Sequence, residues 1–373
     1  MSDERGQGGY GWLYGDDEPT RQAPRAGGSR PPAPDLPPPN LPPPGRRGSA
    51  TAPPRQPRRK RPVRRIVVTV LVLWVVFLVA VPIWAWGKIE KVDAVPGGDR
   101  PADQPGTTYL LVGSDSRRGL TAEERKELTT GNASGARTDT ILLLHTGDGP
   151  SVLLSIPRDS LVPIDGYGTT KINAAYAFGG PKLLVKTIES NTGIRVDDYV
   201  EIGFGGLVKV VDSLGGVEIC PKDDLKDKDS GLDVKKGCQT ADGRTALAYS
   251  RNRHSFGNGD IQRVQNQREV LGSISSEAKS PWTVLNPVRY VRVASGASGS
   301  LRIGEDVGPL ALAKFAFALS SAMGGGGLSC TVPIQDLAVN WDAQRAPKMF
   351  DYIRKDRTDR IGSLCTQDGL PKR

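Results

Sequence analysis

Acidic residues and arginines stand directly beside apolar runs at three places in the chain. The stretch "RNRHSFGNGDIQR", from Arg251 to Arg263, adds a fourth group of cationic side chains. It contains two glycines, which make its backbone more flexible. Taken singly, such an aspartate often caps a helix, and such an arginine often makes only a surface ion pair. The residues at the three places are Asp115 and Arg117 in "LLVGSDSR", Arg137 and Asp139 in "ARTDTILLLH", and Arg158 and Asp159 in "VLLSIPRDS".

Together these side chains favour the chemistry of phosphate. A guanidinium binds phosphate oxygens in bidentate fashion, and a pair of Asp carboxylates suits Mg²⁺, or Mn²⁺ in its place, which bridges phosphate oxygens in turn. The chain has only two histidines, His145 and His254, and no Cys-x-x-Cys motif. The pattern therefore predicts a pyrophosphate site rather than a zinc site or a histidine-based triad.

One apolar segment sets the topology of the chain. From Ile66 to Gly87 no charged residue occurs, and at ~1.5 Å per residue this length spans the ~30 Å hydrocarbon core of a bilayer. A cleaved signal peptide fits less well, because both the apolar run and the 65 residues before it are too long. Arginines and lysines cluster just before the segment, so the positive-inside rule predicts a cytoplasmic N-terminus and an extracellular remainder.

The basic charge belongs mostly to the N-terminal tail. Residues 1–65 hold 13 Lys and Arg against 6 Asp and Glu, which supplies 7 of the net charge of +9. This tail is also Pro-rich and lacks periodic apolar residues, so we expect it to be disordered. Its basic residues fit a topology signal that also contacts lipid headgroups, and no nucleic-acid partner is expected. The aromatic stretch "GYGWLYG" could bind a cytoplasmic partner of unknown identity.

The cysteines agree with an extracellular location, where disulfides persist. All four follow the apolar segment, and four cysteines allow three pairings. The pairs Cys220 with Cys238 and Cys330 with Cys365 are favoured because each closes a moderate local loop.

The extracellular part reads as one α/β domain with a mixed sheet flanked by helices. Short apolar runs predict strands, and longer periodic segments bounded by Gly, Asn or Pro predict helices. The predicted organisation is a tail (1–65), a transmembrane helix (66–87), a stalk (88–107), a domain (108–365) and a C-terminal tail (366–373). The predicted strands are 109–112, 140–145, 152–156, 197–204, 216–220 and 328–333, and the predicted helices are 172–193, 205–216, 242–253, 260–278, 282–294, 308–323 and 341–354.

Seven segments of the sequence, which follow one membrane helix in a fixed order, together resemble the LytR-CpsA-Psr family. They are "LLVGSDSR", "ARTDTILLLH", "LLSIPRDS", "KINAAYAFGG", "VDDYVEIGFGGLVKVVDSLGGVEI", "DGRTALAYSRNR" and "GDIQRVQNQREVL". The resemblance implies a bacterial, membrane-anchored phosphotransferase that moves a glycopolymer from a polyprenyl-pyrophosphate carrier to peptidoglycan. It also implies a hydrophobic tunnel for the lipid, for which the stretches 204–211 and 310–319 are candidate linings.

The resemblance also assigns roles to individual residues. Asp115 and Asp139 look like the magnesium ligands, and Asp139 or Asp159 like the general base. Lys171, Asn173 and Asp260, together with Asp159, would orient the reacting groups. The pyrophosphate clamp would consist of Arg158, Arg251, Arg253 and Arg263, with Arg117 and Arg137 as further members.

Two other functions remain open at this point. Members of the family have been labelled transcriptional attenuators, although this chain has no helix-turn-helix pattern in its predicted cytoplasmic part. A non-catalytic protein that holds a lipid-linked glycan would use the same arginines as an enzyme. The sequence does not indicate which glycopolymer is bound.

Overall fold

The computed structural model describes residues 63–116, 121–128, 138–252, 259–336 and 339–371, without the side chains of residues 127 and 259–262. The helices of these residues are α1 (Val63–Trp86), α2 (Ala122–Glu127), α3 (Asn173–Thr192), α4 (Phe204–Leu214), α5 (Gly243–Arg251), α6 (Gly259–Ala278), α7 (Pro281–Leu285), α8 (Pro287–Ser298), α9 (Pro309–Met323) and α10 (Arg345–Arg354). The strands are β1 (Glu90–Val92), β2 (Thr107–Ser114), β3 (Thr138–Thr146), β4 (Val152–Ser155), β5 (Leu161–Ile164), β6 (Gly168–Lys171), β7 (Asp198–Gly203), β8 (Val217–Ile219), β9 (Leu225–Asp227), β10 (Leu232–Val234), β11 (Gln239–Ala241), β12 (Leu301–Gly304) and β13 (Leu328–Thr331).

A seven-stranded mixed sheet forms the centre of the domain, as the sequence predicts. Its strand order is β1-β12-β7-β2-β3-β4-β13. The central strand β2 pairs antiparallel with β3 and parallel with β7. Helices cover both faces, so the central strands are apolar on both sides rather than alternating with polar residues.

The two faces of the sheet build two separate cores. Alternate residues of β2 go to opposite sides: Leu110 packs with α3 and α10, whereas Tyr109 packs with α9. The Tyr109 and Phe315 rings lie 5.4 Å apart on the α9 side. The α9 side matters for function because it continues into the candidate site.

A smaller subdomain stands beside the sheet. Helices α4, α5 and α6 pack with the short strands β8 to β11 around a third apolar cluster that includes Val211, Ala246 and Val270. Asp242 caps α5 by accepting a hydrogen bond from the Thr245 N–H, at 2.8 Å. This arrangement fixes the direction from which α5 and α6 approach the sheet.

Helix α1 is long and apolar enough to cross a membrane, with a mean hydropathy of 3.1 over its most apolar stretch. It begins three residues before the predicted segment and ends one residue earlier. Its length and composition support the predicted single membrane helix, whereas its orientation stays a prediction.

The structure departs from the predicted boundaries at both ends of the domain. The predicted stalk contains β1, which pairs with β12, and Arg100, which forms an ion pair with Glu189 at 2.6 Å. The predicted C-terminal tail also packs on the domain, since the Ile334 N–H donates to the Gly369 carbonyl at 2.9 Å. Both segments are held by partners distant in sequence, which a local pattern does not reveal.

Two predicted helices differ in extent. The segment 282–294 is divided into α7 and α8, because Pro287 cannot donate a helical hydrogen bond and starts a new helix instead. The helix predicted from Trp341 begins only at Arg345. Strands β1, β5, β6, β9, β10, β11 and β12 are too short to stand out as apolar runs.

Candidate functional site

The two predicted metal ligands lie at the same end of adjacent strands. Asp115 follows directly after β2, and Asp139 is the second residue of β3. Between these strands Gly113 is paired with Thr140, but Ser114 is paired with Thr138. Asp139 is therefore the extra residue of a β-bulge.

The bulge determines where the Asp139 side chain points. Consecutive residues of a regular strand face opposite sides of a sheet, yet Asp139 and Thr140 both line one cavity. A bulge re-aims one side chain in this way. As a result both predicted metal ligands reach the cavity on the α9 side of the sheet.

Arginines approach the same cavity from α5 and α6. Arg251 is the last residue of α5, where its guanidinium lies 5.0 Å from the centre of the Phe204 ring and Nη1 donates to the Leu128 carbonyl at 3.1 Å. Arg263 in α6 is only 3% exposed, and its Nη1 lies 3.7 Å from Asp139 Oδ1. Helices α5 and α6 thus direct two cations at the acidic end of the sheet.

A row of alternating charges leads away from Asp139. Arg158 Nη1 forms a close ion pair with Asp139, and its Nε donates to Asp159 Oδ2 at 3.3 Å. The Asp159 Oδ1 then pairs with Lys171 Nζ at 2.6 Å. The Asn173 N–H donates to the Arg158 carbonyl at 3.2 Å, so the start of α3 also holds this segment.

Of this row, Asp139 lines the cavity, whereas Arg158, Asp159 and Lys171 are not among its described lining residues. Arg158 contacts the lining through Asp139, and its direct contact with the pyrophosphate stays a prediction.

A buried carboxylate supports the end of β2. Glu201 is 1% exposed and accepts hydrogen bonds from the hydroxyls of Ser114, Tyr176 and Tyr199 at 2.7 to 2.8 Å. It also pairs with Arg302 at 2.9 Å. Burial raises the pKa of both tyrosines, so they remain neutral donors. Because Ser114 precedes Asp115, this network fixes the strand end that presents the acid.

The cavity itself has a volume of about 320 Å³, and its lining combines two kinds of side chain. The polar lining residues are Ser114, Asp115, Asp139, Thr140, Asp227, Asp229, Ser230, Ser250, Arg251, Arg263 and Gln267. The apolar lining residues are Leu111, Ile202, Phe204, Leu207, Leu247, Val270 and Leu271.

Of the two stretches predicted to line a lipid tunnel, 204–211 contributes to this cavity and 310–319 does not among the described residues. Phe204 and Leu207 of α4 line the cavity. In α9, however, Phe315 and Ala318 pack into the core against the sheet, and Leu310 is exposed. The apolar spacing of α9 reflects core packing.

Three of the polar lining residues that the prediction lacks come from one hairpin. Asp227, Asp229 and Ser230 come from the end of β9 and the turn before β10. The segment from Cys220 to Cys238 is rich in Asp and Lys, which gave no sign of a site. Its enclosure by two cysteines was the available signal, because a disulfide restrains a segment that would otherwise move.

The structure contains the disulfides Cys220–Cys238 and Cys330–Cys365, the pairing that loop length favours. The first encloses the β9–β10 hairpin, and the second joins β13 to the C-terminal segment. Arg117, Arg137 and Arg253, and the side chain of Asp260, lie outside the described residues.

Comparison with known proteins identifies several relatives. The sequence model of the LytR_cpsA_psr family matches residues 87–316. The chain is 43% identical over 297 residues to "Probable cell wall biosynthesis protein LcpB" of Corynebacterium glutamicum, covering 77% of this chain and 70% of that protein. It is 31% identical over 317 residues to "Cell wall biosynthesis protein LcpA" of the same organism, covering 74% and 61%.

A solved structure shares the fold. The "LytR-Csp2A-Psr enzyme from Actinomyces oris" superposes with a TM-score of 0.57 at 22% identity, covering 72% of this chain and 96% of that one. At this identity the likeness concerns the arrangement of the sheet and its helices. The mixed sheet between helices is thus the architecture of that enzyme as well.

Proposed function

Because this chain belongs to the LytR-CpsA-Psr family, we propose that it is an extracytoplasmic phosphotransferase. It attaches a glycopolymer, carried on a polyprenyl pyrophosphate, to peptidoglycan. The cell-wall roles in the names of the two Corynebacterium relatives support this assignment.

The observation that carries the proposal is that charged and apolar side chains line one cavity. A polyprenyl pyrophosphate offers both kinds of group, since an anionic diphosphate is joined to a long hydrocarbon chain. Arg251 and Arg263 fit the diphosphate oxygens, because guanidinium groups bind them in bidentate fashion. Phe204, Leu207 and Val270 offer the apolar surface for the first isoprene units.

The carboxylates of Asp115 and Asp139 fit Mg²⁺, or Mn²⁺, because both line one cavity and offer the oxygen ligands that such cations prefer. When bound there, the cation would neutralise charge on the diphosphate. Arg158 and Arg263 contact Asp139 and thereby hold it toward the cavity.

The proposed reaction is attack by a peptidoglycan hydroxyl, the 6-hydroxyl of N-acetylmuramic acid, on the phosphorus that bears the glycopolymer. A new phosphodiester bond forms, the bond from this phosphorus to the bridging oxygen breaks, and polyprenyl monophosphate leaves. The hydroxyl proton passes to a carboxylate. Asp139 is the better placed base, since it lines the cavity and Asp159 is not among the described lining residues. Alignment and charge neutralisation supply most of the rate of such a transfer.

The length and apolar composition of α1 support the proposed membrane location. A single helix of this length would anchor the chain, and the basic residues before it favour a cytoplasmic N-terminus. The domain then stands on the outer side, where polyprenyl-linked polymers meet peptidoglycan.

The test is a transfer assay with the full chain reconstituted in lipid vesicles. A polyprenyl-pyrophosphate-linked glycopolymer and peptidoglycan fragments are added with Mg²⁺, and polymer-linked peptidoglycan and polyprenyl monophosphate are measured. We expect both products in equal amounts. Removal of a charge-stabilising donor typically lowers kcat by about 100-fold or more, so Arg251→Ala and Arg263→Lys should each do so.

Arg354→Ala provides the matched control, because Arg354 is an exposed arginine that pairs only locally with Asp351. It should transfer polymer at the wild-type rate. Donor that is retained without any turnover would instead identify a binding protein, and unchanged rates in both cavity variants would refute the proposed clamp.

A further inference from the structure

Helices α7 and α8 present an apolar surface beside the membrane helix. The sequence "SPWTVLNPV", from Ser280 to Val288, contains no charged residue. Trp282, Leu285 and Val288 are 60%, 63% and 66% exposed, although side chains of this kind are usually buried. Three large apolar side chains at one corner form a patch of the kind that marks an interaction site.

The corner adjoins α1 well below its outer end. One face of α1, including Phe77, Leu78 and Val81, is partly or fully buried against the domain. The Phe77 ring lies 5.8 Å from the ring of Tyr290 in α8. Leu78 is eight residues before Trp86, the end of α1, which corresponds to about 12 Å along the helix.

A specific hydrogen bond explains why α8 packs at this level. Pro82 has no N–H, so the carbonyl four residues earlier, that of Leu78, loses its helical donor. The Tyr290 hydroxyl donates to this carbonyl at 2.9 Å. In hydrocarbon an unsatisfied carbonyl is costly, and no water replaces the missing donor. Tyr290 therefore supplies the hydrogen-bond donor that the Leu78 carbonyl lacks because of Pro82.

We propose that α7 and the first turns of α8 lie in the outer lipid leaflet, docked on α1 through Tyr290, with Trp282, Leu285 and Val288 in contact with lipid acyl chains. The depth of Leu78 agrees, because half of the hydrocarbon core is about 15 Å thick. This inference rests on α1 crossing the membrane, as in the proposed function, but not on phosphotransfer.

The charges of the two helices are compatible with this position. Arg289 pairs with Glu277 of α6 at 2.8 Å, so its charge is turned toward the domain. Arg292 is exposed one turn farther along α8, and a long arginine side chain extends readily to headgroup phosphates. The later part of α8 leads back to the domain, where Gly296 packs closely against Ser213.

The test uses nitroxide labels on the full chain in phosphatidylcholine and phosphatidylglycerol vesicles. All four native cysteines are in disulfides, so Leu285→Cys supplies a single labelling site. We expect this label to collide more often with dissolved oxygen than with an aqueous nickel chelate. Tyr167→Cys is the matched control, since Tyr167 is a similarly exposed apolar residue, in the turn between β5 and β6. Its label should respond mainly to the nickel chelate.

A third label, at Val72 in the middle of α1, distinguishes insertion of α1 in the bilayer from insertion of α7 and α8 in the outer leaflet. If Val72→Cys is in lipid and Leu285→Cys is in water, the docking proposal is overturned while the membrane anchor stands. If both labels are in water, α1 does not cross the bilayer and the inference falls with its premise. A transfer assay on the same vesicles reports phosphotransfer independently of either result.

The hydrogen bond is tested by a double-mutant cycle. Tyr290→Phe should speed amide hydrogen exchange in residues 287–298 about fivefold, the effect of losing one hydrogen bond. In the Pro82→Ala background the same change should have almost no effect, because the amide of Ala at 82 then donates to the Leu78 carbonyl. Equal effects in both backgrounds would contradict the proposed role of Tyr290.

Discussion

Asp139 is the residue on which the charges of the site converge. Arg158 and Arg263 both contact its carboxylate, and the row continues from Arg158 through Asp159 to Lys171. Among the described residues only Asp139 of this row lines the cavity, and Lys171, at the far end, is the most exposed of the four side chains. The contribution of these residues to transfer should therefore decrease along the row.

Arg158→Ala is expected to lower kcat by about 100-fold with little change in KM, since it releases Asp139 without removing a cavity contact. Lys171→Ala should lower kcat by less than about tenfold, because Lys171 is exposed and reaches Asp139 only through two other residues. Steady-state kinetics of polyprenyl monophosphate release measure both. Arg158→Lys should recover part of the rate, whereas a rise in KM alone would show that Arg158 binds the donor directly.

At the scale of elements, the bulge between β2 and β3 places the acids. Gly113 lies opposite Thr140 at this point, and a Cβ on Gly113 would approach the Thr140 Cβ to 2.9 Å. Glycine is therefore required for the close approach of the two strands beside the bulge.

Gly113→Ala should force the strands apart and move Asp139 relative to Asp115. We expect a loss of transfer of at least tenfold with folding retained, since geometric errors of about 1 Å can cost 100-fold. Circular dichroism and the transfer assay together measure the two effects. Gly113→Ala combined with Thr140→Gly relieves the contact and should restore activity, and failure of this rescue would contradict the steric explanation.

The longer elements were predictable because apolar runs and their Gly, Asn or Pro boundaries mark them in the sequence. Strands β2, β3 and β4 and helices α3, α4, α6 and α9 follow the predicted ranges within a few residues. The family resemblance implied Asp115 and Asp139 as a pair of ligands, and the structure places both at the same end of adjacent strands. The bulge that turns Asp139 toward the cavity could not be predicted from the sequence, because it depends on how two strands pair and not on the residues of either strand alone.

The position of the β9–β10 hairpin at the cavity could not be predicted from the sequence for the same reason. Asp227, Asp229 and Ser230 reach the cavity because the hairpin is folded over it and enclosed by the Cys220–Cys238 disulfide. Within the hairpin the Ser230 hydroxyl donates to Asp227 at 3.0 Å. Only long-range packing brings this acidic segment to the arginines of α5 and α6.

At the scale of the whole molecule, His145 links the sheet to the C-terminal segment. It is buried in β3, where Nδ1 lies 2.9 Å from the Thr108 hydroxyl and Nε2 lies 3.2 Å from Asp356 Oδ1. Burial lowers the pKa of His145 below its ordinary value of 6.5, although the hydrogen bond that its ring donates to Asp356 acts in the opposite direction. The folded protein therefore holds this ring neutral at a pH where the unfolded chain already binds a proton.

This difference predicts how stability depends on pH. Between the lowered pKa of folded His145 and the unfolded value of about 6.5, the unfolded state binds more protons, so the free energy of unfolding rises with pH. The contribution is fully present above about pH 6.5 and is lost as the pH falls, by up to about 1.4 kcal/mol per pH unit. Urea unfolding of the full chain in detergent micelles, followed from about pH 7.5 down to pH 5.5, measures it.

The variant His145→Gln isolates the contribution. It should be less stable at every pH, since buried hydrogen bonds are lost, but the decrease in stability between pH ~6.5 and ~5.5 should disappear because glutamine does not titrate. Asp197, whose pKa burial raises, contributes with the opposite sign, and comparison of the wild type with the variant separates the two groups because Asp197 is present in both. If the variant kept the full decrease below pH ~6.5, another group would have to carry it, and the coupling of the sheet to Asp356 through a neutral His145 would be refuted.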